Sequence, residues 1–417
     1  MKYAVFVNKG ENDFNRIRKR INIGDNIQSM AVKRLFEYAH IAKENIMEIP
    51  YFGAEKVMKP CNLIIQGHFS RQTNMAFMHN PYINPIFIGF ALMDSILLPE
   101  EIEYFKKYEP ILCRDEFTQK IFERYQIEAY ICGCLTLTLD RRQKEPSNGF
   151  YFFVDVKDEF IKKIPEHVKK KAIFLTQNIE IDKADEQTME YGEKIAYKRV
   201  NEYRDSAKMI ITSKLHCMCP CVAMGIPTLA VGNNFSYRYS FIDAFVPMLD
   251  EKNFEDYGWD SRIGINELEG MKSQLLEIGV SMLAGEPNRE KIFKVHEFYL
   301  KRKRWNYCKG IKEKISVLFG KKKNPEFILW GASAGGNTVY SCIKELYPES
   351  KMIAIVDKYA KGKWEGHFIE EPIATIEKNP DAIVIISTLS GWKEADALLK
   401  SMGKKKGIMY DLIHESA

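Results

Sequence analysis

The chain has 417 residues, too many for one hydrophobic core, and two or three domains are the expectation at that length. With 46% hydrophobic, 12% aromatic and 28% charged residues it is not a disordered chain, and a formal net charge of only +5 gives no reason to expect a nucleic-acid partner. Nine cysteines is an odd number, and Cys132, Cys134, Cys217, Cys219 and Cys221 sit in apolar surroundings, which excludes a secreted disulfide scaffold and points to a reducing compartment.

The opening MKYAVFVNKG has an apolar run of only Ala4 to Val7, short of the ~7–15 residues of a signal-peptide core. No window approaches the ~18–20 apolar residues of a membrane span; the longest candidates are Ala382–Ile386 and the broken stretch Ile210–Val231. The expectation is a cytoplasmic protein whose membrane contact, if any, is peripheral and on the inner face. Basic residues bunch at Arg16–Arg20, Lys169–Lys171, Lys301–Arg304 and Lys321–Lys323. They read as solvated helix faces or linkers, or alternatively as attractors of an acidic headgroup or a polyanionic substrate.

Tyr3–Asn8 reads as a buried strand, and Ile27, Met30, Ala31, Leu35 and Phe36 recur at helical spacing between Asp25 and Tyr38. Short apolar runs at Asn62–Gln66, Pro85–Gly89, Ile111–Arg114 and Tyr130–Cys132 alternate with helical patterns at Pro99–Tyr108 and Phe117–Tyr125, the pattern of a parallel sheet with helices on its faces. The polar RRQKEPSNG at Arg141–Gly149 marks a boundary. A second series follows, with strands at Tyr151–Val156, Lys171–Thr176, Met209–Thr212 and Pro227–Gly232, a helix at Cys217–Met224, and a helical stretch at Ile265–Phe298 able to pack back on the first domain. After a lysine-rich segment at Lys309–Pro325, FILWG, a helix at Asn337–Leu346, MIAIVD, AIVIIST and GIMYDL repeat strand and helix in a small third unit. The predicted organisation is α/β throughout: Rossmann-like domains at 1–148 and 149–308, a basic linker at 309–325 and a small Rossmann-like domain at 326–417.

Thr212, Ser213, Lys214 and His216 fall between the end of one strand and the start of a helix, where ligands bind in open α/β sheets and where free amides and the helix dipole favour an anion. The run Ile210-Ile-Thr-Ser-Lys-Leu-His, continued by Ala223-Met-Gly-Ile-Pro-Thr-Leu-Ala-Val231, resembles the signature of the polysaccharide pyruvyl transferase family. Asn22-Ile-Gly-Asp-Asn-Ile-Gln28 is similar to that family's N-terminal loop and helix, Leu112-Cys-Arg-Asp-Glu-Phe-Thr118 to its arginine-acid motif, and Cys132–Asp140 to the strand ending in Asp that follows. Order and spacing agree over roughly residues 1–300.

The resemblance implies a fold like that of GT-B glycosyltransferases and transfer of the enolpyruvyl group of phosphoenolpyruvate to two hydroxyls of a sugar, on a surface polysaccharide or its lipid- or nucleotide-linked precursor. It implies that Arg114 and His216 carry the chemistry and that Lys214 and Leu215 help to hold the donor, with no metal or further cofactor required. The physical reading concurs, since a guanidinium suits carboxylate or phosphate and an imidazole carries a proton near neutral pH. Ser213 belongs to the same loop, and Gly24, Asp25, Asn26 and His68 are placed nearer the acceptor. Asp25 also reads as a helix N-cap, and His68, in a Gln66-Gly-His-Phe segment with one glycine where the family has two or three, as a residue that caps its strand. Lys214 departs from the family's Arg, keeping the charge and losing the planar fork. Asn233–Asp243 is similar to a Tyr-x-x-Lys stretch, with Arg238 near the basic position.

His216 with the nearby cysteines lacks the paired spacing of a zinc site. Gly331-Ala-Ser-Ala-Gly-Gly336 matches a hydrolase nucleophile elbow, with Asp357 or Asp411 and His367 or His414 downstream, but only one strand precedes it. The better reading is a Rossmann turn in which Gly331, Ser333, Gly336 and Asp357 meet a nucleotide or nucleotide-sugar, set against a domain that keeps the shape without a ligand. Two rivals to the transferase reading stay open: a GT-B glycosyltransferase with a nucleotide-sugar donor, and a non-catalytic sugar- or nucleotide-binding protein. Self-association is open as well.

Overall fold

The computed structural model describes residues 2–8, 19–71, 74–182, 186–233, 235–259, 268–302, 305–388 and 391–413. Parts of five sequence expectations lie outside them: residues 16–18 and 303–304 of two basic bunches, residue 234 of the Arg238 stretch, residues 265–267 of the long helical stretch, and residue 414. The chain forms two compact units, residues 1–91 with 104–305, and residues 92–103 with 306–417.

The first unit contains two parallel sheets. Strands β1 (Lys2–Val7), β3 (Ile46–Pro50), β4 (Cys61–Phe69), β5 (Ile83–Leu92), β6 (Ile111–Cys113) and β7 (Ala129–Ile131) lie in the order β3-β1-β4-β5-β6-β7. Strands β8 (Phe150–Val154), β9 (Ala172–Leu175), β11 (Ala207–Thr212), β12 (Thr228–Val231) and β13 (Met248–Leu249) form the second sheet, in the order β13-β12-β11-β8-β9 and parallel at every pair. Helices on both faces explain why these strands read as continuous apolar runs: Ile210 packs with α1 (Ile23–Tyr38) and α4 (Glu186–Ser206) on one side, Ile211 with Trp259 and Phe254 on the other. In the first sheet a ring cluster of Phe69, Phe77, Phe87, Phe90, Phe105 and Phe122 fills the space beside β4 and β5.

A third piece of sheet joins the two. Strand β2 (Arg20–Asn22), which leads into α1, pairs antiparallel with β10 (Asn178–Glu180), which follows β9. Beyond that ribbon the Ile23 amide donates to Gln177 O at 3.0 Å. The start of α1 is thus stitched to the carboxyl edge of the second sheet. The stretch expected as one helix to Phe298 is two, α6 (Leu268–Leu283) and α7 (Arg289–Leu300), separated at Gly285 (φ 77°) and Pro287. As expected it packs back on the first sheet: His296 Nδ1 accepts from the Ile131 amide of β7 at 3.0 Å.

In the second unit, strands β14 (Glu326–Trp330), β15 (Lys351–Val356), β16 (Lys363–Trp364), β17 (His367–Glu370), β18 (Ile383–Ile386) and β19 (Tyr410–Leu412) give the order β16-β17-β15-β14-β18-β19, parallel except at β16–β17. The expected linker is a correction. Residues Lys309–Phe319 are helix α8, and Ile311, Ile315, Leu318 and Phe319 bury one face of it in the core of this unit. Residues 92–98 also belong here, where Glu365 accepts from the Ser95 and Ile96 amides at 3.1 and 2.8 Å. The fold class is α/β, with two Rossmann-like parallel sheets in the first unit and a third Rossmann-like sheet in the smaller second unit.

Candidate functional site

Two helix starts meet at the carboxyl edges of the two sheets of the first unit. One is the first turn of α1. Its N-cap is Asn22, whose Oδ1 accepts from the Gly24 amide at 3.1 Å, so the expectation that Asp25 is the cap is corrected: Asp25 stands inside the first turn. The other is the first turn of α5 (Leu215–Ala223), whose N-cap residue is Lys214. Gly24 allows the approach, because a Cβ there would lie 3.0 Å from Asn22 Oδ1 and 3.1 Å from His216 Cβ.

Between the helix starts lies a buried charged cluster. Arg114, which follows β6, is fully buried, and none of its three guanidinium nitrogens has a hydrogen-bond partner among the described residues. Its nearest carboxylate, Asp115 Oδ2, is 3.8 Å from Nε, too far for a hydrogen bond, while Asp115 Oδ1 caps α3 (Glu116–Arg124) through the Thr118 amide at 3.0 Å. Burial lifts the Asp25 carboxyl to about 6, with Arg238 and then Arg114 pulling it back. Burial, followed by those same two arginines, pushes His216 well below its ordinary value. Among the described residues, buried donors without partners (Arg114, Arg238 Nε), the unpaired His216 Nε2 and buried acceptors without partners (Asn26 Oδ1, Gln28 Oε1, Gln66 Oε1) gather here. Donors of that kind fit an anion, and acceptors fit hydroxyl groups.

Arg238 reaches the cluster by a turn anchored on both sides of it. The ring of Tyr237 stacks on Phe117 at 4.0 Å, Ser240 Oγ accepts from the Glu116 amide at 3.2 Å, and Tyr239 Oη donates to Ser213 O at 2.7 Å. Lys214 is half-buried at its cap position and is not among the cations that act on Asp25 or His216. Ser213 turns its hydroxyl to Asp155 O at 2.7 Å, and Leu215 is buried. His68 lies inside β4 rather than capping it, and its carbonyl accepts from Asn74 Nδ2 and Tyr51 Oη at 3.2 and 3.3 Å.

Sequence reasoning missed three contributors. A narrow recess is lined by Asn8, Asp25, Gln28, Tyr51 and Gln66. Tyr51 enters because Gly67 (φ 131°) carries no side chain: a Cβ there would sit 2.9 Å from Tyr51 Oη. Gln177, 1% exposed, touches both helix starts. A polar residue fixed between two short strands leaves no periodic signal, and only the Gly24–Asp25 pair hinted at a crowded loop.

In the second unit Ser333 caps helix α9 (Ala334–Leu346), its Oγ accepting from the Gly336 amide at 3.4 Å, so the hydroxyl serves the helix. A Cβ on Gly331 would lie 2.9 Å from Ser387 Oγ, and one on Gly336 2.3 Å from Gly331 O. Asp357 accepts from the Ala332, Tyr359 and Ala360 amides at 2.9–3.0 Å. Packing of the chain itself accounts for these glycines and for this acid. The nine cysteines are free thiols, eight of them buried, and among the described residues no group of His, Cys, Asp and Glu is arranged to hold a metal. Among those residues no helix is long and apolar enough to cross a membrane.

The parallel α/β sheets and the buried arginine, histidine and acid gathered at their carboxyl edges define the class of the protein as an α/β protein with a polar site at its sheet edges. The family model for polysaccharide pyruvyl transferase matches residues 22–234, just over half of the chain, beginning at the α1 cap and including Arg114 and His216. The chain belongs to the polysaccharide pyruvyl transferase family, and so to the polysaccharide-modifying transferases. Solved structures with some likeness include a functionally uncharacterised protein from Klebsiella pneumoniae (14% identity, 63% of this chain and 91% of that one, TM-score 0.34) and S. aureus MnaA with UDP (10% identity, 66% and 91%, TM-score 0.34). The wall teichoic acid polymerase TagF is a third (9% identity, 72% and 88%, TM-score 0.27). No curated protein matches the chain.

Proposed function

We propose that the protein transfers the enolpyruvyl group of phosphoenolpyruvate to two hydroxyls of a sugar, on a polysaccharide or on its lipid- or nucleotide-linked precursor, to form a pyruvate ketal and release phosphate. The observation that carries this reading is Arg114, a fully buried guanidinium with no hydrogen-bond partner among the described residues, beside His216 and Asp25 at two converging helix starts. The donor's carboxylate and phosphate suit Arg114 and Arg238. His216 delivers a proton to the donor's methylene carbon, leaving cationic character on the carbon that bears the phosphate. A sugar hydroxyl attacks that carbon and gives its proton to Asp25. Phosphate then leaves, and the second hydroxyl closes the ketal. One hydroxyl proton ends on the new methyl group and the other leaves with phosphate, so the sum balances without redox change. Asn26, Gln28 and Gln66 offer acceptors on the Asp25 side, where the sugar diol is placed.

The test is thermal-shift titration with phosphoenolpyruvate and, in parallel, a panel of nucleotide-sugars. Native-state binding at a hundredfold excess over Kd adds about 2.7 kcal/mol, a readable shift in Tm. A shift with nucleotide-sugars and none with phosphoenolpyruvate would overturn the donor assignment and favour a glycosyltransferase. The geometry also separates two cations. Arg238→Ala is expected to raise the Kd of phosphoenolpyruvate by about 30-fold or more, the lower end for removing one buried charge partner. Lys214→Ala is expected to change it by less than about threefold, of the order of a rim charge. The reverse ranking would return the second anion contact to Lys214.

A further inference from the structure

Helix α5 carries a proline in its interior, Pro220. A proline lacks the N–H that would donate to the carbonyl four residues earlier, which here is the carbonyl of His216. In a segment where every residue from Leu215 to Ala223 is buried, that carbonyl needs another donor. Gln177 supplies it: Nε2 donates to His216 O at 3.2 Å. The same residue is held at both backbone ends. Its amide donates to Asp155 Oδ2 at 3.0 Å, and its carbonyl accepts from the Ile23 amide, the first residue of α1, at 3.0 Å. Its Oε1 lies 3.5 Å from where a Gly24 Cβ would be.

Asp155, at φ 50°, is itself a hub. Its Oδ1 accepts from Thr176 Oγ1 at 2.6 Å, and its carbonyl accepts from Ser213 Oγ at 2.7 Å. The ends of β8, β9 and β11 are therefore tied together around Gln177. One residue connects the turn bearing His216, through its side chain, to the turn bearing Asp25, through its carbonyl.

We infer that Gln177 is a positioning residue which, through the carbonyl freed by Pro220, sets the spacing between His216 on α5 and Asp25 on α1, and so couples the proton-donating half of the site to the hydroxyl-activating half. This rests on the reading of His216 and Asp25 as the reacting pair. Pro220 is then part of the device: an ordinary helical residue there would close its own bond to His216 O and leave Gln177 nothing to hold.

The experiment compares wild type, Gln177→Met and the double variant Gln177→Met with Pro220→Ala. Methionine keeps the length of glutamine and removes the donor, and alanine restores a helical N–H to His216 O. Gln177→Met is expected to lower kcat at least tenfold with the phosphoenolpyruvate Kd within about threefold of wild type, and to move the pH profile. The double variant is expected to recover the wild-type Tm but not kcat, because the second N–H repairs the helix and not the tie between the two turns. Recovery of both would make Gln177 a plug for an unpaired carbonyl and overturn the proposal, as would an unchanged kcat in Gln177→Met. A wild type that does not turn over phosphoenolpyruvate fails the donor assignment instead. In that case the histidine 15N resonances of His216, assigned by their loss in His216→Gln, decide: movement and altered titration in the double variant support the tie, and identity with wild type overturns it.

Discussion

Arg114→Met is expected to abolish the melting shift given by phosphoenolpyruvate and to lower kcat/KM by about 10²–10³-fold, the usual cost of losing one preorganised donor to developing charge. The free protein is expected to lose some Tm, because taking one partner from a buried ion pair leaves Asp115 without its counter-charge, a cost that loss of a guanidinium with no hydrogen bond among the described residues offsets in part. Asp115, 3.8 Å away, keeps its cap on Thr118. Arg114→Lys keeps the charge without the fork and is expected to fall between. The two readouts separate function from structure: a role in folding alone would lower Tm and leave the increment that donor adds, whereas a donor contact removes that increment. A phosphoenolpyruvate melting shift that survives in Arg114→Met would sink the assignment.

The strands that build the site were legible because both faces of each sheet are covered, so Ile210–Thr212 and Thr228–Val231 appear as unbroken apolar runs. Arg114 was legible because it directly follows such a run, and His216 because it stands in the first turn of the helix, four residues past one. What escaped was held by tertiary contact. Strands β2 and β10, three residues each, have no periodicity to read, yet they fix where α1 begins. Helix α4, at Glu186–Ser206, is polar over most of its length and was not placed. Helix α8 hid its apolar face at Ile311, Ile315, Leu318 and Phe319 among lysines and read as a linker. Asp25 read both as a site residue and as a cap because it is the obvious acid near the helix start, but Asn22, three residues earlier, is the cap. The lysine for arginine at Lys214 was visible as a departure. That Arg238, beyond the family-matched segment, stands with Arg114 around Asp25 and His216 required the Tyr237–Phe117 and Tyr239–Ser213 contacts to be seen.

Binding of phosphoenolpyruvate is expected to take up a proton near neutral pH, and kcat/KM to fall as pH rises above about 6. In the free protein burial holds Asp25 at about 6, while burial and two arginines hold His216 far below its ordinary 6.5. Between those two values the pair carries one proton, on Asp25; above about 6 it carries none. A polyanion between Arg114 and Arg238 reverses the field at the imidazole, because the opposite charge now favours the imidazolium that burial alone disfavoured. The bound state then holds more protons than the free state at pH 7, so affinity weakens as pH rises, by up to about tenfold per pH unit for one proton. Calorimetry in buffers of different ionisation enthalpy counts the proton directly. Asp25→Asn removes the group that carries it in the free protein, so the step near pH 6 in log kcat/KM is expected to vanish together with most of the activity. A wild-type profile that instead rises through 6 and stays level above it would mean that Asp25 acts only as a base and that no proton enters at His216 with the donor.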